Sequence, residues 1–336
     1  MLVESIPDPG ATMQPTHPLG EFGLIDWIRR RQSGRPHQGT VLGMGDDCAI
    51  LDVTAGSQLL VTTDMLMDGR HFRLESDGAE AVGYKAMGVN LSDIAAMAGL
   101  PRAAVVSVAL PRDNAVLIGQ GLSAGLKRMA DRFDVDLIGG DTNAWDGPLV
   151  VNVALLGETS PPGPVRRSGA RPGDVIVVTG PLGGSLWRGR HLRPEPRIKE
   201  ALAICAAEPL DAMIDISDGL SSDLNHILEE SGGLGAILEA DEIPIHPDAI
   251  DQSRTDGISA LDHALHDGED FELCVVLSAE SARRLLDRPP EPVRVYRVGE
   301  VTAEPGLRLR RSGGIVSPLE PRGFDHFRDR AAAGGP

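Results

Sequence analysis

Met213-Ile-Asp-Ile-Ser-Asp-Gly-Leu-Ser-Ser-Asp-Leu-Asn-His-Ile227 reads as a strand, a turn and the start of a helix. Met213 to Ile216 is apolar except for Asp215, as a short buried strand requires. Ser217-Asp218-Gly219 is turn chemistry, and Leu220, Leu224 and Ile227 then share one helical face. The same alternation runs outward in both directions. Upstream, Leu59 to Asp64 is a β-rich run ending in an acid. Ala79 to Met97 turns helical, with Met87, Leu91, Ile94 and Ala98 on one face and Gly99 with Pro101 as its stop. Ala104–Leu110 predicts a strand, and Leu122, Leu126, Met129 and Phe133 predict a second helix. Val135–Ile138 predicts a strand opening into Gly139-Gly140-Asp141, and Leu149–Leu156 another. Further strands are expected at 175–178, 236–238, 271–277 and 293–298, with a helix around Ile198, Leu202 and Cys205. Near the start, Phe22, Leu24, Ile25 and Ile28 suit a short amphipathic helix that runs into Arg29–Arg31.

Strands and helices alternate throughout, which predicts an α/β (α+β) protein. Three prolines and a glycine between Thr159 and Pro164 place a domain boundary there. The expected domains are 20–158 and 165–328, with tails at 1–19 and 329–336. At 336 residues the chain is long enough for two domains with a core each.

The bulk composition excludes several function classes. Forty-nine acids against 32 bases leave a net charge of −17, which repels nucleic acid and anionic membranes. Aromatics at 3% are too scarce for base-stacking platforms. Cys48, Cys205 and Cys274 lie far apart, in neither a disulfide framework nor a zinc spacing. No apolar run spans a membrane and no basic-then-apolar signal opens the chain, so a reducing cytoplasm is expected.

The acids themselves are clustered. Gly45-Asp46-Asp47, Thr62-Thr63-Asp64, Asn90-Leu-Ser-Asp93, Gly140-Asp141-Thr142, Asp215-Ile-Ser-Asp-Gly219 and Gly268-Glu269-Asp270 set carboxylates beside small residues. Four of the six directly follow a strand-like run, where αβ folds open their ligand crevice. Asp and Thr oxygens are hard ligands matched to Mg²⁺ rather than zinc. Asn90 and Asp93 share a helical face, which places them at a site edge. Singly, each acid reads equally well as a turn residue, and Asp218 as a helix cap; six clusters together point to metal-held phosphates. The phosphate-loop pattern with its lysine is absent, Gly180–Ser185 included, as are the protein-kinase signatures and the zinc HExxH pattern. A protein of this kind that handles phosphates must let metals carry the compensating charge.

The whole set resembles a known family. Gly43-Met-Gly-Asp-Asp-Cys-Ala-Ile-Leu51, Gly69-Arg-His-Phe72, Lys85-Ala-Met-Gly-Val-Asn-Leu-Ser-Asp-Ile-Ala-Ala-Met-Ala98, Leu137-Ile-Gly-Gly-Asp-Thr142, Asp215-Ile-Ser-Asp-Gly-Leu220, Gly268-Glu-Asp-Phe-Glu-Leu273 and Gly323-Phe-Asp-His-Phe327 are similar, in order, to thiamine-monophosphate kinase. That family sits in a superfamily with aminoimidazole ribonucleotide synthetase and selenophosphate synthetase. The resemblance covers residues 20–327. It implies two αβ domains, with the N-terminal sheet forming a homodimer interface and the active site between the domains. It implies Mg²⁺ ligands at Asp47, Thr62, Thr63, Asp64, Asp93, Asp141, Asp215 and Asp218, with Asp141 and Asp218 positioning the metal for catalysis; no general base is assigned, because a phosphate-ester nucleophile is already ionised near neutral pH. It implies ATP contacts at Gly140, Asp141, Arg167 and Ser217, and thiamine monophosphate contacts at His71, Glu269 and Phe324. The chain departs from the family pattern at Asn143, Thr62, Asp267 and Phe324, and in a short stretch between Gly183 and His191. Two other readings remain open on the residues: a related ATP-dependent synthetase acting on another small acceptor, and a non-catalytic nucleotide- or metal-binding protein.

Overall fold

The computed structural model describes residues 20–32, 39–44 and 48–323. Helix α1 (Glu21–Gln32) leads into a small pair of strands, β1 (Thr40–Leu42) and β2 (Ile50–Leu51). Then come β3 (Leu59–Met67), α2 (Leu74–Asp77), α3 (Ala79–Ala96), β4 (Gly99–Pro111), α4 (Ala115–Arg132), β5 (Asp136–Trp145) and β6 (Val150–Thr159). β3, β6, β4 and β5 form a four-stranded sheet in that order, so β3 and β5 are its two edges. Only β4 and β5 run parallel. The second half holds β7 (Val175–Val178), α5 (Ile198–Ala207), β8 (Ala212–Asp215), α6 (Leu220–Glu230), β9 (Gly235–Glu239), α7 (Pro247–Asp256) and α8 (Ala260–His266). It closes with β10 (Leu273–Leu277), α9 (Ala279–Asp287), β11 (Tyr296–Thr302), β12 (Gly306–Arg310) and β13 (Val316–Pro318). These strands form a seven-stranded sheet, ordered β13-β12-β9-β11-β7-β10-β8.

Helix α3 is the hub between the two sheets. Fourteen of its 18 residues are buried, so it is enclosed all round rather than amphipathic. It packs on β3, β6 and β4 on one side, on α4 along its length, and on α5 and β8 of the second half. The α3–α4 approach is backbone to backbone: a Cβ on Gly83 would stand 2.1 Å from the Leu122 carbonyl oxygen. One apolar cluster accordingly runs through both halves, joining Met87, Leu91 and Ile94 to Ile204, Met213 and Phe271. Each such side chain contributes about 1.5–3 kcal/mol when fully buried.

All-round burial takes in Asn90 as well. It is fully buried and donates from Nδ2 to the Ala86 carbonyl of its own helix at 3.0 Å, while its Oδ1 has no hydrogen-bond partner among the described residues. Two strand ends move. Asp64 and Asp141 lie inside β3 and β5 rather than just past them. The polar residues there depress strand propensity, but hydrogen bonding to a neighbour on one side suffices to carry an edge strand through them.

Candidate active site

Asp215 is the last residue of β8 and is buried, because α3 closes over it: Ser92 Oγ donates to its Oδ2 at 2.6 Å. The chain then turns through Ser217-Asp218-Gly219 into α6. One turn into that helix Asp223 faces back, and its Oδ2 accepts the N–H groups of Ser217, Asp218 and Gly219 at 3.0, 3.1 and 3.0 Å. A helix N-terminus is ordinarily an anion seat. Here the protein's own carboxylate fills it. Burial, with Asp215 and Asp218 close by, pushes Asp223 well above the usual carboxylate range.

The opposite wall of the crevice comes from β3 and α3. Alternation along β3 aims Thr62 and Asp64 to one face and Thr63 to the other. The Thr62 hydroxyl donates to Asp93 of α3. Burial pushes Asp64 up to about 7, and repulsion from Asp93, Asp215 and Asp218 adds to it. Asp215 is likewise pushed up to about 7, by burial first and then by Asp93. Asp93 is raised by burial against the opposing pull of the Thr62 hydroxyl and the Arg167 guanidinium. Four predicted carboxylates from two domains therefore share one field, with the Arg167 guanidinium as a positive charge acting on Asp93 and Asp215. Among the described residues no three His, Cys, Asp or Glu side chains close on a single metal position. The oxygens surround a gap rather than a finished cage.

Thr63 and Asp141 stand elsewhere. Thr63 pairs through Ala154 and Val105 to Gly139, so Thr63, Gly139 and Asp141 share the sheet's outer face. They lie on opposite edges, three strand spacings or about 14 Å apart. Thr63 Oγ1 donates to the Val153 carbonyl at 3.0 Å, and Asn143 Nδ2 donates to Asp141 Oδ2 at 2.9 Å. A largely apolar cavity of about 680 Å³ follows β5 past Gly140 and Asp141, walled by Leu24, Ile28, Leu122 and Leu126.

The third group borders the crevice. His71 Nδ1 accepts the Met67 N–H at 3.0 Å, which leaves the ring proton on Nε2. Glu269 sits on the strained turn after α8, at φ +53°, its N–H held by the Ser217 carbonyl at 2.7 Å. Gly268 before it is obligatory: a Cβ there would lie 2.6 Å from the same carbonyl oxygen. The glycine-rich stretch near residue 183 is no phosphate cradle either. The Gly183 N–H is bound by Asp270 and that of Gly184 by Asp267. Asp47 and Phe324 lie outside the described residues.

Three residues of this site had no role in the sequence reading. Asp223 carried the ordinary signal of an acid in a first helical turn, which does not say that it will reach back. Ser92 looked like a spacer. Lys85 stood out only as the lone lysine in a long apolar helix; it is fully buried and bonded to Glu269 Oε1 at 2.6 Å.

The architecture has known relatives. Residues 45–159 match the family model "AIR synthase related protein, N-terminal domain", and residues 171–312 match its C-terminal domain. The chain is thus an AIR synthase related protein of two domains. It is also 38% identical to the thiamine-monophosphate kinase of Rhodopirellula baltica, over 93% of this chain and 99% of that one. The crystal structure of thiamine-monophosphate kinase from Stenotrophomonas maltophilia superposes with a TM-score of 0.73 at 34% identity, covering 88% of this chain and 97% of that one. The structure of AaThiL complexed with AMPPCP and TMP superposes with a TM-score of 0.71 at 32% identity, covering 94% and 100%. Within its class, the chain belongs to the thiamine-monophosphate kinase family.

Proposed function

We propose that this chain transfers the γ-phosphoryl group of ATP to the phosphate of thiamine monophosphate, giving thiamine diphosphate and ADP. The observation that carries the reading is the convergence of Asp64, Asp93, Asp215 and Asp218 on one crevice, in a chain that matches thiamine-monophosphate kinases over nearly its full length. The likeness to a structure described as holding both AMPPCP and TMP supports it.

The nucleophile is a phosphate-ester oxygen, already largely ionised near neutral pH because the second pKa of such an ester is about 6. No general base is needed, and none is assigned. The obstacle is repulsion between two polyanions: each pair of unit charges about 4 Å apart repels by roughly 4 kcal/mol at an effective dielectric near 20. The backbone donors that would answer that charge are already occupied, by Asp223 in one loop and by Asp267 and Asp270 in the other. The clustered carboxylates fit hard divalent cations, since burial and mutual repulsion drive two of them up to about 7 in the protein alone. Magnesium bound there supplies the positive charge that lets the two phosphates approach and align. Thr62, Asp64, Asp93, Asp215 and Asp218 hold it, with Asp47 as a further ligand. Arg167, Ser217 and Gly140 bind ATP, and the β5 cavity beside Gly140 is consistent with that role. His71, Glu269 and Phe324 bind the acceptor.

Thr63 and Asp141 join this set through a second copy of the chain. The outer sheet face exposes Leu59, Val61 and Met65 at 51, 64 and 57%, and an exposed apolar patch of this kind marks an interface. In a two-fold dimer, Thr63 of one copy and Asp141 of the other meet reciprocally. The setting proposed is cytoplasmic; among the described residues no helix is long and apolar enough to cross a membrane. The deciding experiment is ADP release from ATP that requires both thiamine monophosphate and Mg²⁺. Release that is indifferent to thiamine monophosphate would overturn the reading.

A further inference from the structure

Lys85 is fully buried in the middle of α3. Its ammonium has three hydrogens to place. Nζ donates to the His71 carbonyl at 2.7 Å and to Glu269 Oε1 at 2.6 Å. His71 belongs to the first half of the chain and Glu269 to the second, so one side chain ties together two residues assigned above to the acceptor. Burial pulls the Lys85 ammonium down, and Glu269 is the main charge holding it protonated. His191 lies near both but is itself lowered, by burial first and then by Lys85, and adds no positive charge to the group at neutral pH.

The partner is as constrained as the lysine. Glu269 has a left-handed backbone, strapped by its N–H to Ser217. Its Oε1 is taken by Lys85. Its Oε2 is buried and has no hydrogen-bond partner among the described residues. A buried acceptor left bare is costly, and a binding site is where a ligand makes up the loss.

We infer that Lys85 is a positioning residue: it clamps Oε1 of Glu269, leaves Oε2 as the carboxylate's one unpaired acceptor, and thereby selects acceptors that bring an N–H donor to it. On the reading above, which this inference rests on, that donor is the exocyclic amine of the aminopyrimidine ring. Sites built around a substrate hydrogen bond reject analogues that lack it far more strongly than sites that only fill space.

The test compares two acceptors: thiamine monophosphate, and the analogue in which a carbonyl oxygen replaces the exocyclic amine. The wild-type chain should prefer the amine by about 10⁴-fold in kcat/KM. Lys85→Met should raise the KM for thiamine monophosphate by about 30-fold, a loss of the same order as one charge-assisted hydrogen bond. It should leave the KM for ATP unchanged and cut the preference by about the same 30-fold. Equal rises in both KM values, or an undiminished preference, would mean that Lys85 only supports the fold. Lys85→Met leaves Glu269 buried and unpaired, so Glu269→Gln and the double variant Lys85→Met/Glu269→Gln are measured beside it; the double variant retains no orphaned charge. If Lys85 acts through Glu269, the double variant has the same acceptor preference as Glu269→Gln. A further multiplicative loss in the double variant would overturn the assignment. Wild-type turnover of thiamine monophosphate separates the two levels: without it the proposed function fails and the donor assignment falls with it, whereas with it these variants judge Lys85 alone.

Discussion

The two faces of the N-terminal sheet carry the same residue types and meet different fates. On the inner face, Thr62 and Asp64 are half-buried against α3 and joined by Asp93, Asp215 and Asp218 from other elements. On the outer face, Thr63 and Asp141 sit exposed at opposite edges of a surface rich in apolar side chains. In the function proposed, the inner group is completed within one chain by the second domain, and the outer group only where another chain covers it. On that proposal a ligand set read along one sequence need not close within one copy of it.

The largest effect expected tests the inner group. Asp218→Asn and Asp64→Asn should each lower kcat by at least about 10³-fold, the scale of losing charge stabilisation at a phosphoryl-transfer site. The far-ultraviolet spectrum and the cooperative melt should persist, because neither change opens a cavity. Wild-type turnover in either variant at saturating Mg²⁺ would remove that residue from the metal set.

The next experiment breaks or sharpens the contrast directly. Asp141→Asn should be as inactive as Asp64→Asn. If the outer residues serve the partner's site, mixing the two inactive variants after dissociation should restore activity. Half of the randomly formed dimers are then mixed, and each mixed dimer has one intact site, so about a quarter of wild-type turnover returns. No restoration, with mixed dimers verified by mass, would mean that both residues act in the same chain. A related change, Val61→Lys with Met65→Glu, should yield a monomer by sedimentation and lose most activity while keeping the melting temperature within a few degrees. A fully active monomer would detach the outer face from the chemistry.

How much of this was legible beforehand depends on the level. The spacing of Met87, Leu91 and Ile94 made α3 readable, and the runs at 213–216 and 175–178 made their strands readable. That α3 is enclosed on every side was not, since Lys85, Asn90 and Ser92 look polar and the partners of two of them come from distant sequence: Glu269 for Lys85 and Asp215 for Ser92. The same holds for α7, α8 and α9, short helices whose apolar residues are too few to stand out. Thr62-Thr63-Asp64 is the sharper case. A period of two already places Thr63 opposite its neighbours, but that rule matters only once the three residues are known to lie within a strand. Residue identity identified the oxygens; which of them face each other is a property of pairing between β3, β6, β4 and β5.

The acidic crevice also predicts a pH-dependent response that the outer face should not share. Asp64 and Asp215 titrate near 7 in the folded chain against an ordinary 3.8. The folded state thus holds their protons more tightly than the unfolded chain. Without a cation, the stability tied to these groups is present below about pH 4 and is lost as the pH rises toward 7. Magnesium requires the deprotonated oxygens, so it should restore at pH 8 what is only partly lost at pH 5.5, where protons still compete for the same oxygens. The melting temperature should rise with saturating Mg²⁺ by about 5 °C at pH 8 and by less than about 2 °C at pH 5.5, since 1 kcal/mol moves a chain of this size by a few degrees. Asp270 is pushed up to about 7 as well, by burial, with Arg190 opposing. It contributes the same pH slope, but Mg²⁺ should leave its share untouched. Equal shifts at both pH values would place the ion away from Asp64 and Asp215.

The smallest effect separates shape from charge inside the crevice. Asp223 binds three successive backbone N–H groups through one oxygen, and those groups belong to the loop that carries Ser217 and Asp218. An amide oxygen can accept the same three bonds. Asp223→Asn should therefore fold, keep the loop, and change stability by no more than about 1 kcal/mol, since the hydrogen bonds survive while a buried acid is removed. Asp223→Ala orphans the three donors and should cost about 2–4 kcal/mol in urea unfolding. In kinetics the Asn variant should stay within about fivefold of wild type in kcat and the Ala variant should fall well below it, because only the Ala variant lets Asp218 drift. Were the Asn variant as slow as Asp218→Asn, Asp223 would belong among the groups that hold the metal, and the inner face would count one more carboxylate than its geometry now assigns.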